Sequence, residues 1–198
     1  MRRPAIVILA SASPRRRELL RSLCPDFTVV PSEVDETLAP GPAAAAVKRL
    51  ALDKAQAVAA RVAAGVVLGA DTVVVIDGEA LGKPATADDA RQMLRRLRGR
   101  EHEVVTGVAV VEAPSGRCET TAVVSRVRMA DYGEADIEAY VASGEPFDKA
   151  GAYAIQGRGG ALVAGLDGSF SNVVGLPLEE TARLLTAFGV AVSEPPAR

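Results

Sequence analysis

Apolar and polar positions along this chain switch between a strand-like and a helix-like period. Residues 5–9 form an apolar run of strand length, and Leu19, Leu20 and Leu23 then recur on one side of a helical pattern. Ser13 is a good N-cap and Pro14 a good first residue, so a helix is predicted to open there. Residues 27–30 read as a second short strand. Residues 42–62 are alanine-rich, with Val47, Leu50, Lys54 and Val58 at helical spacing, and predict a long helix stopped by Gly65. Residues 66–76, VVLGADTVVVI, predict a buried strand interrupted at Gly69-Ala70-Asp71. Asp77-Gly78 signals a hairpin turn.

Thr86, with Asp88 and Asp89 behind it, predicts a helix to about Arg98 that Gly99 ends. Two long strands follow at 101–112 and 117–129, joined by a turn at 113–116. Asp131 with Glu134 predicts a capping box for a helix to Ala142. Residues 143–160 are glycine-rich and read as a long loop, which in a compact domain usually carries function or is disordered. A strand at 161–166, a turn at Asp167-Gly168 and a helix at 177–188 complete the pattern. Strands and helices interleave while the central strands form hairpins, so the expected fold is an α/β sheet of mixed direction in a single domain, residues 1–192. Residues 193–198 are expected to fray.

Composition narrows the function. The chain has 198 residues, 48 % of them hydrophobic, enough for a real core. A net charge of −2 provides no global basic field, so no nucleic-acid polymer is expected as partner and any phosphate site must be local. No apolar run is long enough for a membrane span. The N-terminus looks like a short signal peptide, but its apolar run is brief and leads into an arginine-rich helix, so a strand is the better reading. Cys24 and Cys118 fit no disulfide framework or zinc motif, which suits a reducing, cytoplasmic setting. His102 is the one histidine and is assigned to a strand end outside the site. Any catalytic metal must therefore be held by carboxylates, which suits Mg²⁺ or Mn²⁺.

Three arginines, Arg15, Arg16 and Arg17, fall in the first turn of the predicted first helix. Cations are disfavoured there by about 0.3–1 kcal/mol each at exposed sites, because the helix dipole is positive at that end. A bound polyanion would reverse this, with phosphates on the helix N-terminus and arginines around them. The alternative is a solvated basic turn whose arginines lie back along the helix. Asp71 interrupts an apolar strand, which is costly unless it is paired or on a metal; the alternative is a turn residue bonding its own backbone. Glu33, Asp35 and Glu36 share one acidic loop and nothing local separates them. Lys54 lies on a helix, where lysine is ordinarily a surface residue, and Lys83 lies on a rigid Gly-Lys-Pro loop. The segment 78–84 mimics a Walker A loop but is one residue short, with Pro84 where a hydroxyl must hold Mg²⁺. The set points to a metal-dependent hydrolase of a nucleotide or other phosphoanhydride.

The blocks LASASPRR, VDET, GADTVV, GKP, DKAGAYAIQG and GSFSNVVGLPL stand in one order across nearly the whole chain. Together they resemble the Maf family of nucleotide pyrophosphatases. The resemblance implies a Maf/inosine-triphosphatase-like α/β fold, a mixed twisted sheet with flanking helices in two lobes around a central cleft, often as a homodimer. It implies hydrolysis of a nucleoside triphosphate to the monophosphate and pyrophosphate with a divalent metal.

Position by position, Asp71 resembles the family's proton acceptor that activates water, and Glu36 its acidic partner at the metal. Ser11, Arg16, Lys54 and Lys83 resemble the substrate and phosphate contacts. Arg15, Thr72 and Gln156 resemble the positions that mark the branch acting on dTTP and UTP. In the branch acting on 7-methyl-GTP an aromatic follows Ser-Pro and an acid replaces Gln156. Asn172 and the Gly175-Leu176-Pro177 turn also match, without an assigned role. Alternatives are a pyrophosphatase for 7-methyl-GTP or another modified nucleotide, and a nucleotide-binding regulator of cell division; the intact Glu36, Lys54, Asp71 and Lys83 favour an enzyme.

Overall fold

A computed structural model of the chain describes residues 6–195. Ala5, the first residue of the predicted first strand, and residues 196–198 of the predicted frayed tail lie outside them. At the start of that tail, Ser193 N–H donates to the Leu23 carbonyl at 2.8 Å.

Strands β1 (Val7–Leu9), β2 (Phe27–Val29), β3 (Gly65–Ile76), β4 (Glu79–Leu81), β5 (Glu101–Ala113), β6 (Cys118–Met129) and β7 (Val163–Asp167) form one sheet in the order β2-β1-β3-β5-β6-β7, with β4 paired to β3. β1 is parallel to β2 and β3, whereas β3–β4 and β6–β7 are antiparallel, so the sheet is mixed as expected. The helices are α1 (Pro14–Leu23), α2 (Ala43–Ala59), α3 (Ala87–Leu97), α4 (Glu134–Ala142), α5 (Phe170–Val174) and α6 (Leu178–Ala187). The chain divides into two compact units, and β3, β5 and β6 each contribute to both.

The first unit comprises the described parts of Met1–Asp71, Thr106–Val123 and Gly175–Arg198. Its strand residues alternate between two apolar clusters, as a period of two requires when both faces of a sheet are covered. Val7, Leu9, Val66 and Leu68 pack with Leu20 of α1 and Leu184 and Leu185 of α6. Ile8 and Val67 pack with Ala51, Ala55 and Val58 of α2. The second unit comprises Thr72–Val105 and Val124–Val174. Its core joins Val74, Ile76 and Val104 of the sheet to Leu94 and Leu97 of α3, Ile137 and Tyr140 of α4, and Tyr153.

Four expectations are corrected. β3 runs unbroken through Gly69-Ala70-Asp71. Gly69 reads as a breaker in sequence, but a methyl group there would collide with the Ala51 carbonyl oxygen, so its missing side chain lets α2 lie close on β3. Gly65 opens β3 and does not stop α2, which ends at Ala59. The helix after β6 is capped by Asp136, whose carboxylate accepts from Gly133 N–H at 2.8 Å, and not by an Asp131–Glu134 box. The glycine-rich stretch after α4 is ordered, carrying 3₁₀ turns at Glu145–Asp148, Ala150–Ala152 and Gly157–Leu162.

Candidate active site

Close packing of α2 on β3 sets the centre of the site. Lys54 stands three residues after Ala51 and four after Leu50, on the buried face of α2. It is only 3 % exposed, contrary to the ordinary surface reading of a helical lysine. Its Nζ donates to Glu36 Oε1 at 2.7 Å and to Asp71 Oδ1 at 2.8 Å. The Asp71 side chain is 13 % exposed and that of Glu36 53 %. Asp71 is thus not a turn residue but a strand carboxylate paired across to a helix.

The same geometry separates the three acids of the 31–42 loop. Asp35 Oδ1 accepts from the backbone N–H and hydroxyl of Thr37 at 2.9 and 2.7 Å, and those bonds, the hydroxyl's first, hold its carboxyl below the usual range. Glu33 lies 3.8 Å from Arg61. Glu36 is the acid that joins Lys54.

Arg16 brings the first turn of α1 to the same carboxylates. Ser13 caps the helix as expected, its hydroxyl accepting from Arg16 N–H at 3.4 Å. The Arg16 Nε donates to the Gly175 carbonyl at 2.8 Å and Nη1 to Ser11 Oγ at 3.4 Å. The guanidinium is therefore turned toward the loops and not laid back along the helix. Burial lowers its pKa from the ordinary value, while the charges of Asp71 and Glu36 oppose that shift and Arg15 adds to it. An arginine stays protonated regardless. Ser11 is buried and completes this group of Ser11, Arg16, Glu36, Lys54 and Asp71, all in the first unit. Gly175, unassigned in the sequence, acquires a role as the carbonyl that orients Arg16.

Thr72, Lys83 and Gln156 belong to the second unit. Thr72 follows Asp71 on β3 and is partly buried. Lys83 is exposed just after β4, and the preceding Gly82 carbonyl accepts from Gly151 N–H at 3.0 Å. That bond joins the Lys83 loop to the segment leading to Gln156, which is exposed and extended at the start of a 3₁₀ turn. Asn172 is buried in α5, its amide donating to the Val104 carbonyl at 3.0 Å and Ser125 Oγ at 2.9 Å, which ties α5 to β5 and β6. One pair escaped the sequence reading. His102, 3 % exposed, shares a 2.7 Å hydrogen bond with the Tyr153 hydroxyl. No sequence spacing signals two residues 51 positions apart.

Glu36 and Asp71 are the carboxylates placed to hold a cation, since both already converge on one ammonium group. Among the described residues no group of three His, Cys, Asp or Glu side chains is placed to hold a metal. A pair suits Mg²⁺, which commonly takes one or two carboxylates and completes its shell with substrate phosphates and water.

The family model for Maf-like proteins matches residues 6–188. A dTTP/UTP pyrophosphatase of Moorella thermoacetica is 54 % identical over 187 residues, covering 94 % of this chain and 96 % of its own. A dTTP/UTP pyrophosphatase of Anaeromyxobacter sp. is 56 % identical over 187 residues, covering 92 % of this chain and 89 % of its own. Among solved structures, the Staphylococcus aureus Ham1 protein is 18 % identical with a TM-score of 0.45, covering 65 % of this chain and 74 % of that one. Among the described residues no helix is long and apolar enough to cross a membrane.

Proposed function

The chain belongs to the Maf family, and on that premise we propose that it hydrolyses dTTP and UTP to the nucleoside monophosphate and pyrophosphate. The observation that carries the mechanism is the buried Lys54 holding Asp71 and Glu36 together. Lys54 engages Asp71 Oδ1, which fixes the carboxylate that would take the proton of the attacking water. Water oxygen bonds to the α-phosphorus, its proton passes to Asp71, and the bond to the bridging oxygen breaks, releasing pyrophosphate. Arg16, held by Gly175 and Ser11, presents its guanidinium to the phosphates beside the N-terminus of α1. Lys83 adds a further cation for the triphosphate. Glu36 and Asp71 would hold Mg²⁺ or Mn²⁺, which when bound polarises a phosphoryl oxygen and offsets the charge of the leaving pyrophosphate.

Gln156 reads the base. A uracil or thymine edge offers two carbonyl acceptors and one N–H donor, and a carboxamide matches it with both a donor and an acceptor. Arg15 and Thr72 are the other two branch-marking positions that the family resemblance supplies. The free Cys24 and Cys118 suit a reducing, cytoplasmic compartment. Assembly as a homodimer belongs to the same proposal on the family resemblance and is read by sedimentation.

Hydrolysis in ¹⁸O-labelled water tests the reaction. The label should enter the monophosphate, with pyrophosphate unlabelled and turnover abolished by excess chelator. Labelled pyrophosphate, orthophosphate release, or full turnover in chelator contradicts the scheme.

A further inference from the structure

We propose that His102 is a positioning residue for base selection, acting through its hydrogen bond to Tyr153, which anchors the four-residue segment ending in Gln156. The inference rests on the reading of Gln156 given above.

The segment is pinned on its N-terminal side and exposed at its end. Gly151, at φ 69°, lies against Val74, where a methyl group would sit 2.9 Å from Cγ2, and its N–H is bonded to Gly82. Ala152 follows at φ 61°, a left-handed conformation that a residue with a side chain adopts only under constraint from its surroundings. Tyr153 comes next, buried in the core of the second unit, with its hydroxyl 2.7 Å from His102 Nε2 and the two rings edge to face. Ala154 is gripped from behind, since a methyl group on Gly159 would lie 2.5 Å from its carbonyl oxygen and 2.9 Å from its nitrogen. Ile155 and then Gln156 emerge from this anchored stretch.

His102 has no other assigned work. It is buried on β5, burial lowers its pKa to about 4, and its Nδ1 has no hydrogen-bond partner among the described residues. A neutral imidazole kept in an apolar core for a single side-chain bond is costly unless that bond matters. Tyr153 is where the bond acts. With the hydroxyl anchored, the strained Ala152 cannot relax to negative φ, and the direction in which Gln156 leaves the core is fixed. Without it, Ala152 relaxes and Gln156 samples several directions, so the donor–acceptor match to a pyrimidine is lost while phosphate contacts persist.

The test is the ratio of kcat/KM for dTTP over dGTP in wild type, Tyr153→Phe, His102→Leu and His102→Gln, each also in a Gln156→Ala background. Tyr153→Phe and His102→Leu should lower the ratio about tenfold, the scale set by one lost hydrogen bond, chiefly through KM for dTTP. His102→Gln, which keeps a polar atom near the Nε2 position, should restore most of it. In the Gln156→Ala background, the Tyr153→Phe effect should vanish, because both act on one contact. A folded Tyr153→Phe protein with an unchanged ratio overturns the proposal, as does an equal effect with and without Gln156. If Gln156→Ala alone leaves the ratio unchanged, the base-reading role has failed and the proposal falls with it. Should His102→Leu not fold, Tyr153→Phe, which removes one oxygen, decides alone.

Discussion

Lys54 Nζ meets Asp71 Oδ1 at 2.8 Å with both side chains largely withdrawn from water. A buried ammonium and a buried carboxylate each cost several kcal/mol to desolvate, and the pair is tolerable only while both members are present. Lys54→Met should therefore destabilise the fold by ~3 kcal/mol, with the half-exposed Glu36 arm adding only ~0–1 kcal/mol. Turnover should fall with it, because Asp71 loses the bond that orients it. Chemical denaturation and initial rates check both; an equally stable, active Lys54→Met protein would remove the clamp from the account.

Asp71→Asn separates charge from shape. The substitution is nearly isosteric, so the fold should persist, while the loss of the general base should lower turnover by ~10²–10⁴-fold. Nucleotide binding measured by calorimetry should survive. A folded variant with near-normal turnover would assign the proton to another group.

Gly69→Ala tests how the site is assembled. The added methyl meets the Ala51 carbonyl, and backbone cannot swing aside as a side-chain end can. Overpacking of this kind costs ~1–3 kcal/mol, and moving α2 off β3 carries Lys54 away from Asp71. The expected outcome is lowered stability together with a lower kcat, read by thermal melts and steady-state rates. Unchanged kcat in a folded variant would uncouple this packing from catalysis.

That glycine also shows where the sequence stops being legible. Periodicity and capping located most elements: Ser13 caps α1, Thr86 and Asp89 form a reciprocal box on α3, and Asp77-Gly78 turns β3 into β4. Local composition could not show that Gly69 serves a close approach instead of a break, because the partner backbone lies in α2. Nor could it separate Glu36 from Glu33 and Asp35; only the family resemblance did so, and the bond to Lys54 now gives a physical reason. Residues 143–160 look like an unstructured loop because glycine marks both mobility and tight packing, and Gly151 and Gly159 belong to the second kind. His102 stands near the start of β5, as the sequence indicates, but its bond to Tyr153 depends on tertiary structure alone.

His102 makes stability depend on pH. Its pKa falls from 6.5 to about 4 because burial disfavours the charged ring. As pH drops through 6.5 the unfolded chain takes up a proton that the folded chain refuses until about pH 4. Stability should thus decline across that window, by up to ~1.4 kcal/mol per pH unit, and level off below it. His102→Gln lacks this contribution, so the stability difference between wild type and variant should change between pH 7 and pH 4. A pH-independent difference would mean that the ring is not held neutral.

The central claim is a pyrophosphatase that selects pyrimidine nucleotides through Gln156, and pyrophosphate release across a nucleotide panel in Mg²⁺ and Mn²⁺ tests it most directly. Hydrogen-bonding sites discriminate strongly because a mismatched base leaves buried polar groups unpaired. Wild type should turn over dTTP and UTP faster than dATP, GTP and 7-methyl-GTP, and Gln156→Glu should weaken pyrimidine turnover far more than binding of bare triphosphate. Faster hydrolysis of 7-methyl-GTP than of dTTP or UTP by the wild type, or an unchanged ranking in Gln156→Glu, would contradict the account.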